Sequence, residues 1–159
     1  MKQILELFII IIIIFIQASE GELVEGDNEI KKSTINTVTH IVDGDTFDIA
    51  SGERIRMIGI DTPERGEFFY KEASVRLGEL IEGKEVVLIK DVSETDRYDR
   101  LLRHVYYEDV WINKQMIDEG FAKLVTFPPD VSHVEVFERS QQEARKASMG
   151  MWAGRNNYK

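Results

Sequence analysis

Apolar and polar positions divide the chain into a leader, a polar stretch and a region of mixed strand and helix patterning. From residue 37 the segment T-V-T-H-I-V alternates loosely and is rich in β-branched residues, which predicts a strand. Asp43-Gly44 predicts a hairpin turn. Residues 46–50 alternate at period two and end at a second turn, Ser51-Gly52. Residues 54–60 predict a third strand, closed by Asp61-Thr62-Pro63. Arg56 and Asp61, five apart, would face opposite sides of a straight strand, so either the strand bends at Gly59 or Asp61 lies in the turn past its end. The turn is favoured, because Pro63 restricts the residues before it. A helix follows over 69–81, where Ala73, Leu77, Leu80 and Ile81 share one face and Gly83 marks the stop. Residues 86–89 and 101–107 read as strands around a polar loop, 91–100. A short helix is expected over 113–119, with Gly120 beyond its end. A last helix starts at the capping box Ser132-x-x-Glu135 and runs to about Ala147. Trp152, just past it, is expected to pack on the body of the domain. Three strands, a helix, two strands and two helices form the layout of a five-stranded OB-fold barrel, mainly β with three helices. Periodicity alone leaves other small α+β arrangements open.

The N-terminal segment has a different character. Lys2 precedes ten consecutive apolar residues, 7–16, and Gln17-Ala18-Ser19 supplies small residues after them. Residues 1–19 are read as a secretory signal peptide, with an uncleaved signal-anchor as the alternative, since a membrane span needs about 20 apolar residues. Secretion or another extracytoplasmic location follows as an expectation. Residues 20–34 read as an acidic flexible linker, 35–153 as the folded domain and 154–159 as a C-terminal tail.

Charge and cysteine usage narrow the chemistry. The net charge is −9, which argues against a non-specific nucleic-acid coat but not against a locally positive site. The chain has no cysteine, which excludes disulfides, a thiol nucleophile and thiolate metal centres. The polar residues of interest fall at strand ends and turns: Asp43-Gly44-Asp45-Thr46, Arg56, Asp61-Thr62-Pro63-Glu64, and the loop Thr95-Asp96-Arg97-Tyr98-Asp99-Arg100. Each has a structural reading. D-G is a common turn, D-T-P-E resembles a helix entry, and a strand arginine usually faces solvent. Together they say more, because consecutive strands of a meander lie side by side and can bring Asp45, Arg56, Asp61 and Glu64 into one region. Crowded carboxylates need a counter-charge, which a hard divalent cation supplies. Arginines beside such a site suit a phosphate. The residues therefore point to metal-assisted hydrolysis of a phosphate ester.

These motifs, V-D-G-D-T (42–46), R-x-x-x-x-D-T-P-E (56–64) and T-D-x-Y-x-R (95–100), resemble in order and spacing those of the staphylococcal nuclease (thermonuclease) family. The likeness extends from Thr37 to Trp152. It includes E-A-S in the first helix (72–74) and E-G-F-A-K (119–123). It implies an OB-fold and calcium-dependent hydrolysis of DNA and RNA to 3′-phosphate ends, by a monomer that favours single strands. Carried over by motif, Asp45, Asp61 and the Thr62 carbonyl resemble the Ca2+ ligands. Glu64 resembles the residue that handles the attacking water, and Arg56 and Arg100 the phosphate-holding pair. Arg97 and Tyr98 fall where the family contacts a terminal phosphate. The family's stacking tyrosine is replaced by Thr126, and the loop after Glu64 is short. Phe127 or Tyr98 is a candidate for base stacking, against a core or turn role for Phe127. The alternatives to an enzyme are a non-catalytic nuclease-like OB module that binds nucleic acid or protein, and a calcium-stabilised structural domain.

Overall fold

The computed structural model describes residues 33–153. The leader, almost all of the acidic linker and the C-terminal tail lie outside the described residues. Strand β1 (Ser33–Ile41) begins earlier than its patterning predicts. Its first half pairs antiparallel with β5 (Glu85–Ile89), Ser33 opposite Ile89 and Thr37 opposite Glu85. Its second half pairs with β2 (Thr46–Ile49). A register shift between Val38 and His40 marks the bend from one partner to the other. Residues 33–35 are exposed, so no alternation announces them, and Ser33 and Thr34 belong to the barrel rather than to a linker.

Strand β3 (Arg54–Met57) pairs antiparallel with β2, and β6 (Leu101–Tyr107) pairs with β5. A parallel pairing of β3 with β6, Arg56 opposite Leu102, closes the ring. The barrel order β3-β2-β1-β5-β6 is that of a five-stranded OB-fold. Phe47, Ile55, Met57, Val86, Leu88 and Val105 fill its interior.

Three helices cover the barrel, as expected from sequence: α1 (Tyr70–Ile81), α2 (Ile112–Asp118) and α3 (Val134–Lys146). Helix α1 buries Ala73, Leu77 and Ile81, with Leu80 half-buried beside them. The two-residue strand β7 (Val110–Trp111) leads into α2. Asn113 of α2 is fully buried; its Oδ1 accepts from the Val105 N–H at 2.8 Å and its Nδ2 donates to the Ile58 carbonyl at 2.9 Å. That amide ties α2 to the barrel and to the point where β3 stops. Trp152 lies in a short 3-10 turn with the Arg145 guanidinium of α3 over its ring at 4.3 Å.

Two sequence expectations are corrected. The capping box does not form, because Ser132 is engaged elsewhere: its N–H and Oγ donate to Asp91 Oδ2 at 3.2 and 2.8 Å, and α3 starts after His133. The third strand is not continuous to Ile60. It breaks at Ile58-Gly59 and resumes as β4 (Ile60–Asp61), which pairs with β8 (Lys123–Leu124) in a separate two-stranded ribbon. Asp61 is therefore in a strand, not in a turn. Gly59 has φ +78°, and an added Cβ would lie 2.5 Å from Phe137 Cε2. Both the left-handed backbone and the close approach of α3 require glycine there. Gly59→Ala is expected to destabilise the protein by about 2–4 kcal/mol, read from urea unfolding. An unchanged midpoint would show that α3 yields at no cost.

Candidate functional site

The break at Gly59 turns the chain so that the ends of β3 and β4, the loop before β2 and the loop before β6 face one another. Between them lies a cleft of about 700 Å³. Asp45, Arg56, Asp61, Thr62, Glu64, Arg97, Tyr98 and Arg100 all line it, so every sequence-predicted site residue is brought to this one place.

Asp45 sits at its base. Gly44 lets the loop before β2 press onto α1 and Thr62; a Cβ there would lie 2.8 Å from both Ala73 Cβ and Thr62 Cγ2. Asp43 Oδ1 accepts from the Asp45 N–H at 3.1 Å, which closes the turn. Thr62 donates twice to Asp45 Oδ2, from its N–H at 2.9 Å and its Oγ1 at 3.1 Å. Thr46 Oγ1 donates to Asp45 Oδ1 at 3.0 Å, and Arg56 Nε stands 3.3 Å from the same oxygen. Burial still pushes the Asp45 carboxyl up to about 6, more than the Arg56 guanidinium offsets, and Asp43 adds to the rise. The site is short of positive charge at its most buried carboxylate.

Arg56 is fixed from several sides. Nη1 donates to the Met57 carbonyl at 2.7 Å and to the Ile60 carbonyl at 2.8 Å, and Nη2 lies 3.5 Å from Asp61 Oδ1. The two carbonyls flank the break in the strand. The guanidinium thus holds the kink that brings Asp61 to its own side, although the two residues are five apart. Asp61 Oδ2 in turn faces Lys123 Nζ at 2.9 Å.

The third motif is a self-contained turn. Asp96 Oδ1 accepts from the N–H groups of Tyr98 (2.8 Å) and Arg100 (3.1 Å). Its Oδ2 takes Arg100 Nε at 2.7 Å, with Nη2 2.6 Å away. Burial raises the Asp96 pKa, but Arg100 and the two amides outweigh it and hold the carboxyl below its usual range. The Tyr98 ring is exposed, with the guanidinium groups of Arg97 and Arg100 at 4.8 and 5.4 Å from its centre. Phe127 also lines the cleft and is 68% exposed, so it has no core role.

Glu64 is exposed on the rim. Its N–H donates to Glu67 Oε2 at 2.8 Å and its carbonyl accepts from the Glu67 N–H at 2.9 Å. D-T-P-E therefore ends in a turn ahead of α1 and is not the helix entry itself.

The chemistry of the donor set suits a cation. The Asp45 and Asp61 carboxylates offer hard oxygen ligands in the cleft, and Asp45 is under-compensated. These residues fit a hard divalent ion completed by water. Among the described residues no three acidic or histidine side chains form a metal cage on their own, so such an ion would rest on few carboxylates.

Residues 54–154 match the family model described as staphylococcal nuclease homologue. The chain belongs to the staphylococcal nuclease family. It is 30% identical over 146 residues to the thermonuclease of Staphylococcus intermedius, covering 82% of this chain and 87% of that protein. It is 32% identical over 131 residues to the micrococcal nuclease of Shigella flexneri, covering 75% and 74%. An uncharacterized endonuclease of Haemophilus influenzae is 32% identical over 123 residues, covering 75% and 66%. The family's barrel is the one described above.

Asp43, Asp96 and Lys123 have site positions that the sequence reading does not assign. Asp43 and Asp96 stand inside recognised motifs, where D followed two residues later by a bonded N–H is the mark of an Asx turn. For Lys123 the cross-strand register with Asp61 is the missing signal, and it exists only once β4 and β8 have paired.

Proposed function

We propose that this chain is a calcium-dependent nuclease that hydrolyses phosphodiester bonds of DNA and RNA and leaves 3′-phosphate ends. The observation that carries this reading is the convergence of Arg56, Arg100, Asp45, Asp61 and Glu64 on one cleft. Asp45, Asp61 and the Thr62 carbonyl would hold the calcium ion. When bound, such an ion polarises a phosphate oxygen and makes a coordinated water more acidic.

The chain's own side chains supply the rest. Arg56 and Arg100 offer planar donor groups from two sides of the cleft, which matches a phosphodiester and stabilises the charge that builds up at phosphorus. Asp96 keeps the Arg100 fork oriented. Glu64, on the solvent side, receives the proton of the attacking water. The new bond joins the water oxygen to phosphorus and the bond from phosphorus to the 5′ oxygen breaks; that oxygen takes a proton from solvent as it leaves, and Glu64 afterwards releases to solvent the proton it received. The 3′ phosphate remains on the other fragment. Arg97 and Tyr98 extend the cleft beyond the scissile group and favour a terminal phosphate. The exposed rings of Phe127 and Tyr98 suit unstacked bases, hence single strands.

Work outside the cytoplasm, as a monomer, completes the reading. The apolar leader supports it, and so does calcium's role, since a site of few carboxylates fills only where calcium is plentiful. Among the described residues no helix is long and apolar enough to cross a membrane.

The test is Glu64→Gln on single-stranded DNA with calcium. Because Glu64 is exposed, the variant is expected to keep the wild-type far-ultraviolet circular dichroism and melting temperature. Its cleavage rate is expected to fall by about 10²–10⁴. A folded variant with the full rate would remove Glu64 from the water step. A wild type that binds DNA without cutting it would leave a binding module instead.

A further inference from the structure

Lys123 is not used in the mechanism above, yet it contacts that mechanism's machinery. It stands opposite Asp61 in the β4–β8 register, with Nζ 2.9 Å from Asp61 Oδ2. Asp61 Oδ1 faces Arg56 Nη2 at 3.5 Å. Both oxygens of this carboxylate thus already face a cation of the chain itself. We propose that Lys123 sets the divalent-cation affinity of the cleft, by competing with the ion for Asp61. The proposal rests on the cation-dependent reading of the site.

Two observations decide for competition over positioning. First, the Asp61 main chain is held without the ammonium, by strand pairing with Lys123 and by the neighbouring Thr62 N–H bonded to Asp45. Second, the Lys123 side chain is 54% exposed, so its ammonium can swing into water while its stem stays on the ribbon. A dication on Asp61 meets the repulsion of a like charge on the same carboxylate, and solvent screening keeps that penalty moderate. Removing the ammonium then strengthens cation binding by about three- to tenfold. The chain carries a built-in threshold, so that the site fills only at high calcium.

The test is isothermal titration of calcium into the full chain for wild type, Lys123→Met, Lys123→Arg and Asp61→Asn. The expected result is a Kd about three- to tenfold lower in Lys123→Met, close to wild type in Lys123→Arg, and strongly weakened in Asp61→Asn. Unchanged or weaker binding in Lys123→Met, with Asp61→Asn still weakened, overturns the competition and leaves the metal reading standing. No calcium binding by wild type, in a chain shown folded by circular dichroism, overturns both.

Discussion

Arg100→Lys is expected to cut DNA about 10²–10³-fold more slowly than wild type, with a melting temperature within a few degrees. The Arg100 side chain is 27% exposed and is clasped by Asp96, so its loss strains little of the core. What it contributes is the planar fork. A lysine keeps the charge but presents a single point donor, and it cannot face a phosphate through two parallel N–H groups. Loss of one donor aimed at developing charge costs a few kcal/mol of barrier, which sets the size of the effect. Because the charge builds up in the transition state, kcat should fall more than KM rises. A normal kcat with a raised KM would make Arg100 a binding residue only.

Arg56→Met is expected to destabilise the fold itself, by about 3–5 kcal/mol in urea unfolding, and to abolish cleavage. The Arg56 side chain is 13% exposed and that of Asp45 7%, so the substitution leaves a carboxylate buried without its ion partner. It also strips the Met57 and Ile60 carbonyls of their shared donor at the break in the strand. The double variant with Asp45→Asn should recover part of the stability, because the stranded charge is gone. Equal stability of Arg56→Met and wild type would mean that the kink holds without the guanidinium.

The contrast between the two arginines was not visible in the motifs, which present both as phosphate-binding candidates. It comes from the barrel. Arg56 lies in a strand paired on both sides, to β2 and to β6, and its neighbours are main-chain carbonyls. Arg100 lies in a turn that one aspartate organises. The second strand is legible because apolar Phe47 and Ile49, both buried, alternate with polar Thr46 and Asp48. The start of β1 is not, because residues 33–35 are exposed and carry no alternation. The break after β3 does leave a local trace, since the apolar beat of R-I-R-M-I-G-I slips by one residue between Met57 and Ile58 and Gly59 follows. The α3 cap departs from its sequence pattern for a related reason. Ser132 has the right spacing from Glu135, but Asp91, 41 residues earlier, takes both of its donors. Contacts between distant segments decide the start of β1 and the α3 cap, and local pattern does not encode them.

The polar residues that meet in the cleft are legible in the motifs, and their wiring is not. Asp45, Asp61, Glu64, Arg56 and Arg100 could be named from motif spacing. That Thr62 holds Asp45 through two donors, that Asp96 steers Arg100, and that Lys123 sits on Asp61 required coordinates. The short loop after Glu64 closes on itself through Glu67 and leaves the Glu64 side chain on the rim.

The central claim is that this cleft hydrolyses nucleic acid with the help of a divalent ion. Its most direct test is cleavage of single-stranded DNA by the full chain, with calcium present and then removed by a chelator. The expected result is rapid cleavage with calcium, loss of cleavage in the chelator and recovery when calcium is restored. Undiminished cleavage in the chelator would contradict it.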